Sequence, residues 1–572
     1  NNAFTTTGST IIYKPASASP TTIGNVTYNH LTLDDSASGG SVTFTPAATP
    51  LTVGGDLTVI DGTLSMTTNT ANVTGSLVIQ TAGTLSASTG TIDVNGSSLN
   101  INGSGILSFS GAGNLNLYGN FTNQGTFTPN TSTVTLDGLS QTLSGTTGFY
   151  NLTKIVTAAR TLTLQDTATF TVTNNLVLKG TAGNLLTVTS SDSTEKVDFD
   201  LVDGAENDGI SQDLNYLHVI RIDSASGVQM NPLNSTEVAS SNVNWNITGA
   251  GASLSWDGDQ GTNWNNPSNW SLGFVPRSGD TVTIPDTSLD PTLFSTVTVT
   301  NLTIYPSGKL ILNGNNLTVS TTYDNENGGT LSLTGTETTI PVDTNSGTTE
   351  YTGTGTYSEL SGGNAYYNLT LNGSGSWTLD APLVVNNDLT ITKGSLNIYS
   401  NDRTITVGGN WFNDVTNGNF ISQSGTVIFN KATGTQTINS GGTDANHDFN
   451  HMSHSGAGTL QLLTNALQVN GNLTNSGGKF DAFGLASTVT GLTTLSSDTY
   501  LSSSAIQTFN GGLTLSGGTL NTGTGSVSIV NSGNWTYTSG SVTGTGTIEF
   551  RTTAAGGNFN IDITGTPTFS QP

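Results

Sequence analysis

The stretch GGDLTVIDGTLSMTTNTANVTGSLVIQTAGTLSASTGTIDVNGSSLNINGSGILSFSGAGNLNLYGNFTN, residues 54–123, repeats one apolar mark at Leu57, Leu77, Leu99 and Phe121, spaced 20, 22 and 22 apart. Between the marks, Leu, Ile, Val and Thr alternate with polar residues, and Gly, Asn and Ser gather where the alternation stops. Alternation with a period of two reads as half-buried strand, and the Gly/Asn/Ser clusters read as turns. A unit of about 21 residues cannot bury its apolar side chains alone, but a stack of such units can, with neighbouring strands about 4.8 Å apart. The reading is a β-solenoid. The rhythm returns at Leu473, Leu492, Leu513 and Trp535, spaced 19, 21 and 22, and Leu389 and Trp411 are again 22 apart. If every residue of the 572 coiled this way, roughly 27 coils would form, an upper bound.

A longer motif is laid over this period. TIIYKPASASPTTIGNVTYNHLTL from Thr10 reappears as TVTLDGLSQTLSGTTGFYNLTK from Thr133 and TTEYTGTGTYSELSGGNAYYNLTL from Thr348. A fourth copy, TVIFNKATGTQTINSGGTDANHDFNHMS, starts at Thr426. Each leads, 21 to 28 residues after its Asn, to a Gly/Asn-Asn/Asp-Leu step at Leu57, Leu176, Leu389 or Leu473. Internal repetition at such periods is the signature of a stacked array.

Composition agrees with an all-β class and narrows the chemistry. Hydrophobic residues make up 33% and charged residues 9% of the chain, with 71 Gly, against about 45–50% and about 25% in ordinary soluble domains. No cysteine is present, which excludes disulfides and thiolate metal sites. The net charge of −25 argues against nucleic acid and anionic membranes as partners. No apolar run approaches the roughly 18 residues of a spanning helix. The sequence starts at Asn1 with no signal peptide, as expected of a processed chain.

Two segments break the rhythm. From about Thr187 to Asn246 charges are denser and strands longer, in KVDFDLVDGAENDGISQDLNYLHVIRID, which fits an irregular coil set or a small β-sandwich. At Trp256 a Trp- and Pro-rich stretch begins, WDGDQGTNWNNPSNWSLGFVPRSGDTVTIP. The expected organisation is an N-terminal solenoid over 1–186, an irregular or sandwich-like insert over 187–250, and a second solenoid module over 251–572.

Candidate chemistry is sparse. Asp203, Glu206, Asp208 and Asp213 share a Gly-containing loop, and Asp257 and Asp259 another; carboxylates on loops suit Ca²⁺, so calcium is the one cofactor to consider. Trp256, Trp264 and Trp270 offer rings that could stack on sugars, or serve as buried anchors for the module. Asp198 and Asp200, two apart on one strand, share a face and would be the carboxylates of a polysaccharide-cleaving site, or simply its polar alternation. His447, His451 and His454 have ligand-like spacing, yet His451 and His30 occupy equivalent repeat positions. Asn-x-Ser/Thr sequons such as Asn151 and Asn368 coincide with the repeat itself. No nucleophile–base pattern or phosphate loop occurs, so no catalytic residue is assigned and an enzyme is not expected.

The aromatic-Asn-Leu-Thr repeat with its Gly-Asn/Asp-Leu-Thr steps resembles the repeat arrays of secreted bacterial and archaeal β-solenoid surface proteins and adhesins. The segment opening Trp256…Trp264…Asn269-Trp270…Pro276 is similar to stretches in such exported proteins. The resemblance implies an extracellular, cell-surface location and a structural role in a filament, sheath or surface layer. The expected partners are copies of the chain itself, pairing through strands at Ile11, Ile12 and Tyr13 and at Phe559, Ile561 and Ile563. The alternatives are a monomeric adhesin stalk that binds glycan or host protein and, further off, a polysaccharide-degrading β-helix.

Overall fold

The computed structural model describes residues 8–39, 41–202, 209–239, 241–247, 249, 251–399, 403–530, 533–551, 560–563 and 568–570. It is a β-solenoid of about 25 turns, with 52% of residues in strands and 1% in helix. The chain divides into two compact units, Asn1–Thr281 and Val282–Pro572.

In the N-terminal unit the marks read from sequence are true ladder partners. Leu57 pairs with Leu77, Leu77 with Leu99, and Leu99 with Phe121, all in parallel. The 11-residue strand Leu57–Thr67 turns a corner: its first part pairs with Leu77–Ile79, its second with Thr84–Ser86, and the register shifts between Val59 and Asp61. The third side of the coil is Ala71–Val73, in a separate sheet. Inward positions Leu57, Val59, Leu64, Met66, Ala71 and Val73 are all fully buried. This explains how so little apolar residue suffices: each coil is roofed and floored by its neighbours, so only the inward half of each short strand has to be apolar.

Segment 187–250 continues both sheets. Leu186–Ser190 pairs with Arg160–Leu164 on one side and Leu217–Ile220 on the other. Val197–Leu201 and Ser211–Asn215 both pair with Thr169–Lys179. These parallel ladders are those of an irregular coil set, not of a sandwich. The Trp-rich stretch packs on this unit, where Gln212 N donates to Gly273 O at 2.6 Å and its Nε2 donates to Leu272 O at 2.6 Å.

In the C-terminal unit Leu389 pairs with Trp411 as read. The other series needs one correction. Leu473 pairs with Thr493, which pairs with Leu513, which pairs with Trp535. Thr493 is the inward residue, fully buried, whereas Leu492 is 39% exposed. Leu492 stands at the corner, where its N–H donates to Asn472 Oδ1 at 3.0 Å.

That bond shows what the Gly-Asn/Asp-Leu step is for. The side-chain oxygen at the corner accepts a backbone N–H of the next coil: Asp56 from Ser76 at 2.8 Å, Asn120 from Thr142 at 2.8 Å, Asp388 from Asn410 at 2.6 Å. The glycine before it lies against the backbone of the preceding coil. A Cβ on Gly96 would sit 2.1 Å from the carbonyl of Gly75, and one on Gly511 would be 2.3 Å from Gly491. Backbones approach this closely only where side chains are absent.

Candidate functional site

The structure places the expected site residues in different settings, and most serve the stack. Trp256, Trp264 and Trp270 are each 1% exposed. Their rings meet edge to face, with centroids 5.1 Å apart for Trp256–Trp270 and 4.6 Å for Trp264–Trp270. Trp270 Nε1 donates to Trp264 O at 2.9 Å. No face of the cluster is open to a sugar ring, which corrects the carbohydrate-stacking reading; the alternative, buried anchors, is what the geometry shows. Tryptophan burial is large, so three of them knit a strand-poor segment, although Trp264 Nε1 is enclosed there without a hydrogen-bond partner.

Of the acidic residues read as calcium ligands, Asp203, Glu206 and Asp208 lie outside the described residues. Asp213 is exposed and forms an ion pair with Lys179. Asp257 is half-buried, its Oδ1 enclosed without a hydrogen-bond partner. Burial first, and the negative Asp259 beside it, push the Asp257 carboxyl up to about 6. Among the described residues no group of three or more His, Asp and Glu is gathered as for a metal ion.

Asp198 and Asp200 share a strand, but only Asp198 faces solvent. Asp200 is 3% exposed, and its Oδ1 accepts from Ser226 N at 3.1 Å. Burial raises its pKa, with Asp198 and Asp223 adding to the effect. The pair is one turn-binding carboxylate and one surface carboxylate, a different arrangement from two acids flanking an open groove.

The histidines are separated by role. His447 is bonded to Asp444 Oδ1 at 2.8 Å and to Asp414 O at 3.2 Å. His454 is buried, its Nδ1 2.7 Å from Asn475 Oδ1, and burial lowers its pKa. His30 and His451 do the same thing in their two copies: Nδ1 accepts the backbone N–H of Asp56 and of Asn472, each at 2.9 Å. Register refines their equivalence. His30 stands opposite Thr10 and His451 opposite Thr426, just as Asn151 stands opposite Thr133 and Asn368 opposite Thr348. The histidine therefore replaces the repeat asparagine and is not an extra residue beside it.

Of the residues read as assembly strands, Thr10–Tyr13 pairs with His30–Leu33, and Ile561–Ile563 pairs with Trp535–Tyr537. Both are outermost strands on the described sheet paths or next to them. Ile12 is 58% exposed, Ile561 53% and Ile563 48%, while Ile11 and Tyr13 are half-buried against the coil beneath. Phe559 lies outside the described residues.

Comparison with known proteins adds one likeness. A family model described as a domain of unknown function (DUF8693) matches residues 255–487, fewer than half of the 572, starting close to the boundary read near residue 250. No curated protein and no solved structure matches the chain. The firm assignment is architectural: the chain is a β-solenoid similar, over 255–487, to that domain.

Proposed function

We propose that this chain is an extracellular structural protein, a subunit of a cell-surface filament, sheath or surface layer that associates with copies of itself through the outer strands of its coil stacks. The observation that supports this reading is the strand Thr10–Tyr13, at the end of its described sheet path. It is bonded on one side to His30–Leu33, and it has no further strand partner among the described residues. Coil joins coil here through parallel backbone ladders, so an added strand from a second chain would meet the same ladder geometry that a following coil meets. Exposed Ile12 at one such strand, and Ile561 and Ile563 at another, give an added strand apolar surface to cover. The acidic net charge keeps dilute chains apart, so association should depend on concentration and ionic strength.

The test is negative-stain electron microscopy of the purified chain over a concentration series, with and without a calcium chelator, beside Ile12→Lys and Ile561→Lys variants. Fibres or sheets that the lysines abolish support the proposal, and their loss in chelator would add bridging cations. Single particles at every concentration overturn it.

A further inference from the structure

We infer that the C-terminal unit carries a saccharide-binding cleft, built from three successive coils around Tyr357, Tyr399, Asp380 and Arg403, that takes a neutral pyranose chain. The cleft has a volume of about 570 Å³ and is lined in part by Tyr357, Thr378, Asp380, Asn397, Tyr399 and Arg403. Pockets of roughly 300–1,000 Å³ with aromatic walls and a few convergent polar groups are the usual form of small-molecule sites.

Its construction follows from register. Tyr357 pairs with Trp377, Trp377 with Leu396, and Thr378 with Asn397. The lining residues thus come from three neighbouring coils, with Thr378 and Asn397 at equivalent positions, which spreads the floor over roughly 10 Å along the stack. Tyr357 stacks on the fully buried Trp377 with centroids 5.3 Å apart and planes 14° from parallel. That backing fixes the ring. Tyr399 is 52% exposed, which leaves part of its ring open to a ligand.

The polar groups around the rings are those that recognise hydroxyls. Arg403 has its guanidinium carbon 5.9 Å from the Tyr399 ring centroid, and its Nη1 donates to Leu379 O. Among the described residues it forms no ion pair. Its other N–H groups can donate to sugar oxygens. Asp380 is exposed, and its carboxylate accepts. A ring that covers C–H faces, one planar donor and one planar acceptor complement a pyranose, which has an apolar face and a rim of hydroxyls. The choice of a neutral sugar follows from charge: a single arginine beside an aspartate, on a chain of net charge −25, does not favour a polyanion. A smaller cleft of about 400 Å³ beside Tyr118 and Leu139 has no charged side chain in its lining, so it lacks this combination.

The experiment is isothermal titration of the whole chain with cellohexaose, maltohexaose and mannohexaose. At least one is expected to bind with a Kd of about 1 mM or tighter, and Tyr399→Ala and Asp380→Ala are each expected to weaken that binding about tenfold. Both side chains project to solvent, so circular dichroism and Tm should stay at wild-type values. The inference is overturned if none of the three sugars binds, or if both variants bind as the wild type does. Filament formation is read separately, so failure of one proposal leaves the other standing.

Discussion

The four copies of the aromatic-Asn motif close equivalent coils in two chemically different ways. In the copies at 10–33 and 348–371 two tyrosines lock the coil. Tyr13 and Tyr28 hydroxyls lie 2.8 Å apart, and those of Tyr351 and Tyr366 2.9 Å. A glycine N–H donates to the first tyrosine, Gly24 to Tyr13 at 2.9 Å and Gly362 to Tyr351 at 2.8 Å. In the copies at 133–154 and 426–454 these places hold Leu136 with Phe149, and Phe429 with Phe449. There a buried glutamine takes over. Gln141 Nε2 donates to Leu117 O at 2.8 Å and to Gly119 O at 2.7 Å, and Gln436 Nε2 to Val407 O and Gly409 O. The residue three after the repeat Asn or His changes with the lock: Leu33 and Leu371 in the tyrosine copies, buried Lys154 and His454 in the glutamine copies. The lesson is that a buried polar group in such a coil travels as a set with its partners, because any member left alone would be unsatisfied.

The sharpest way to break the comparison is Gln141→Leu. The Gly119 carbonyl would lose its side-chain donor, and the Leu117 carbonyl would keep only Asp137 N. The Lys154 ammonium, which donates to Gln141 Oε1 at 2.5 Å, would keep only Leu136 O and Gly138 O. The expected loss is about 3 kcal/mol, read as faster amide exchange in the coils on either side. Gln436→Leu should cost less, about 2 kcal/mol, because no ammonium depends on it. Equal losses would show that Lys154 is indifferent to the glutamine.

Lys154 also supplies a pH signature opposite in sign to that of the tyrosine copies, whose buried hydroxyls have raised pKa values and cost stability only as pH passes 10. Burial holds its amine down at about 8 against an ordinary 10.5. Between those values the unfolded chain binds more protons than the folded one, so stability rises as pH climbs from 8 towards 10.5. The rise should amount to about 2 kcal/mol and be missing in Lys154→Met. Denaturant midpoints across that window check it, and a variant that keeps the rise would place its origin elsewhere.

In the tyrosine copies the matching change is Tyr351→Phe, which removes one hydroxyl from a chain of four bonded groups that ends on Gly363 O. A loss of about 1 kcal/mol is expected, with faster exchange at the Gly362 amide. Tyr13→Phe should cost less, since Tyr13 is only half-buried and water can replace the lost bond.

How much of this was legible beforehand depends on what a residue touches. The period was legible because inward positions repeat an apolar type: Leu57, Leu77, Leu99 and Phe121 needed no knowledge of their surroundings. Leu492 misled because an apolar letter stood one place from a buried threonine, and only the register separates corner from strand. The tyrosine and glutamine locks were hidden, since each joins groups 11 to 29 residues apart. The common spacing of Tyr13–Tyr28 and Tyr351–Tyr366, 15 in both, and the shared Gln-Thr of SQTLSG and TQTINSG, were the available signals. The Trp cluster left a sugar platform and buried anchors both open, because sequence shows that rings are near one another but not which way they face. The saccharide cleft draws on Tyr357, Asp380, Tyr399 and Arg403, scattered over three coils, and no local pattern marks them.

The smallest expected effect concerns the position that all four copies share. Asn368 Oδ1 accepts from Asp388 N at 3.2 Å and from Asn387 Nδ2 at 2.8 Å, and His451 Nδ1 accepts from Asn472 N at 2.9 Å. One acceptor facing the next coil is what the position requires, and either side chain provides it. His451→Asn should therefore change stability by less than about 0.5 kcal/mol, whereas His451→Leu leaves the Asn472 amide without its acceptor at a cost of about 1 kcal/mol. Gly471 bears on the outcome, because a Cβ there would lie 2.6 Å from His451 Nδ1; the close passage of the next coil restricts the position to a flat or slender side chain. If His451→Asn instead cost as much as His451→Leu, the imidazole would be doing something an amide oxygen cannot, and the equivalence of the four copies at this position would fail.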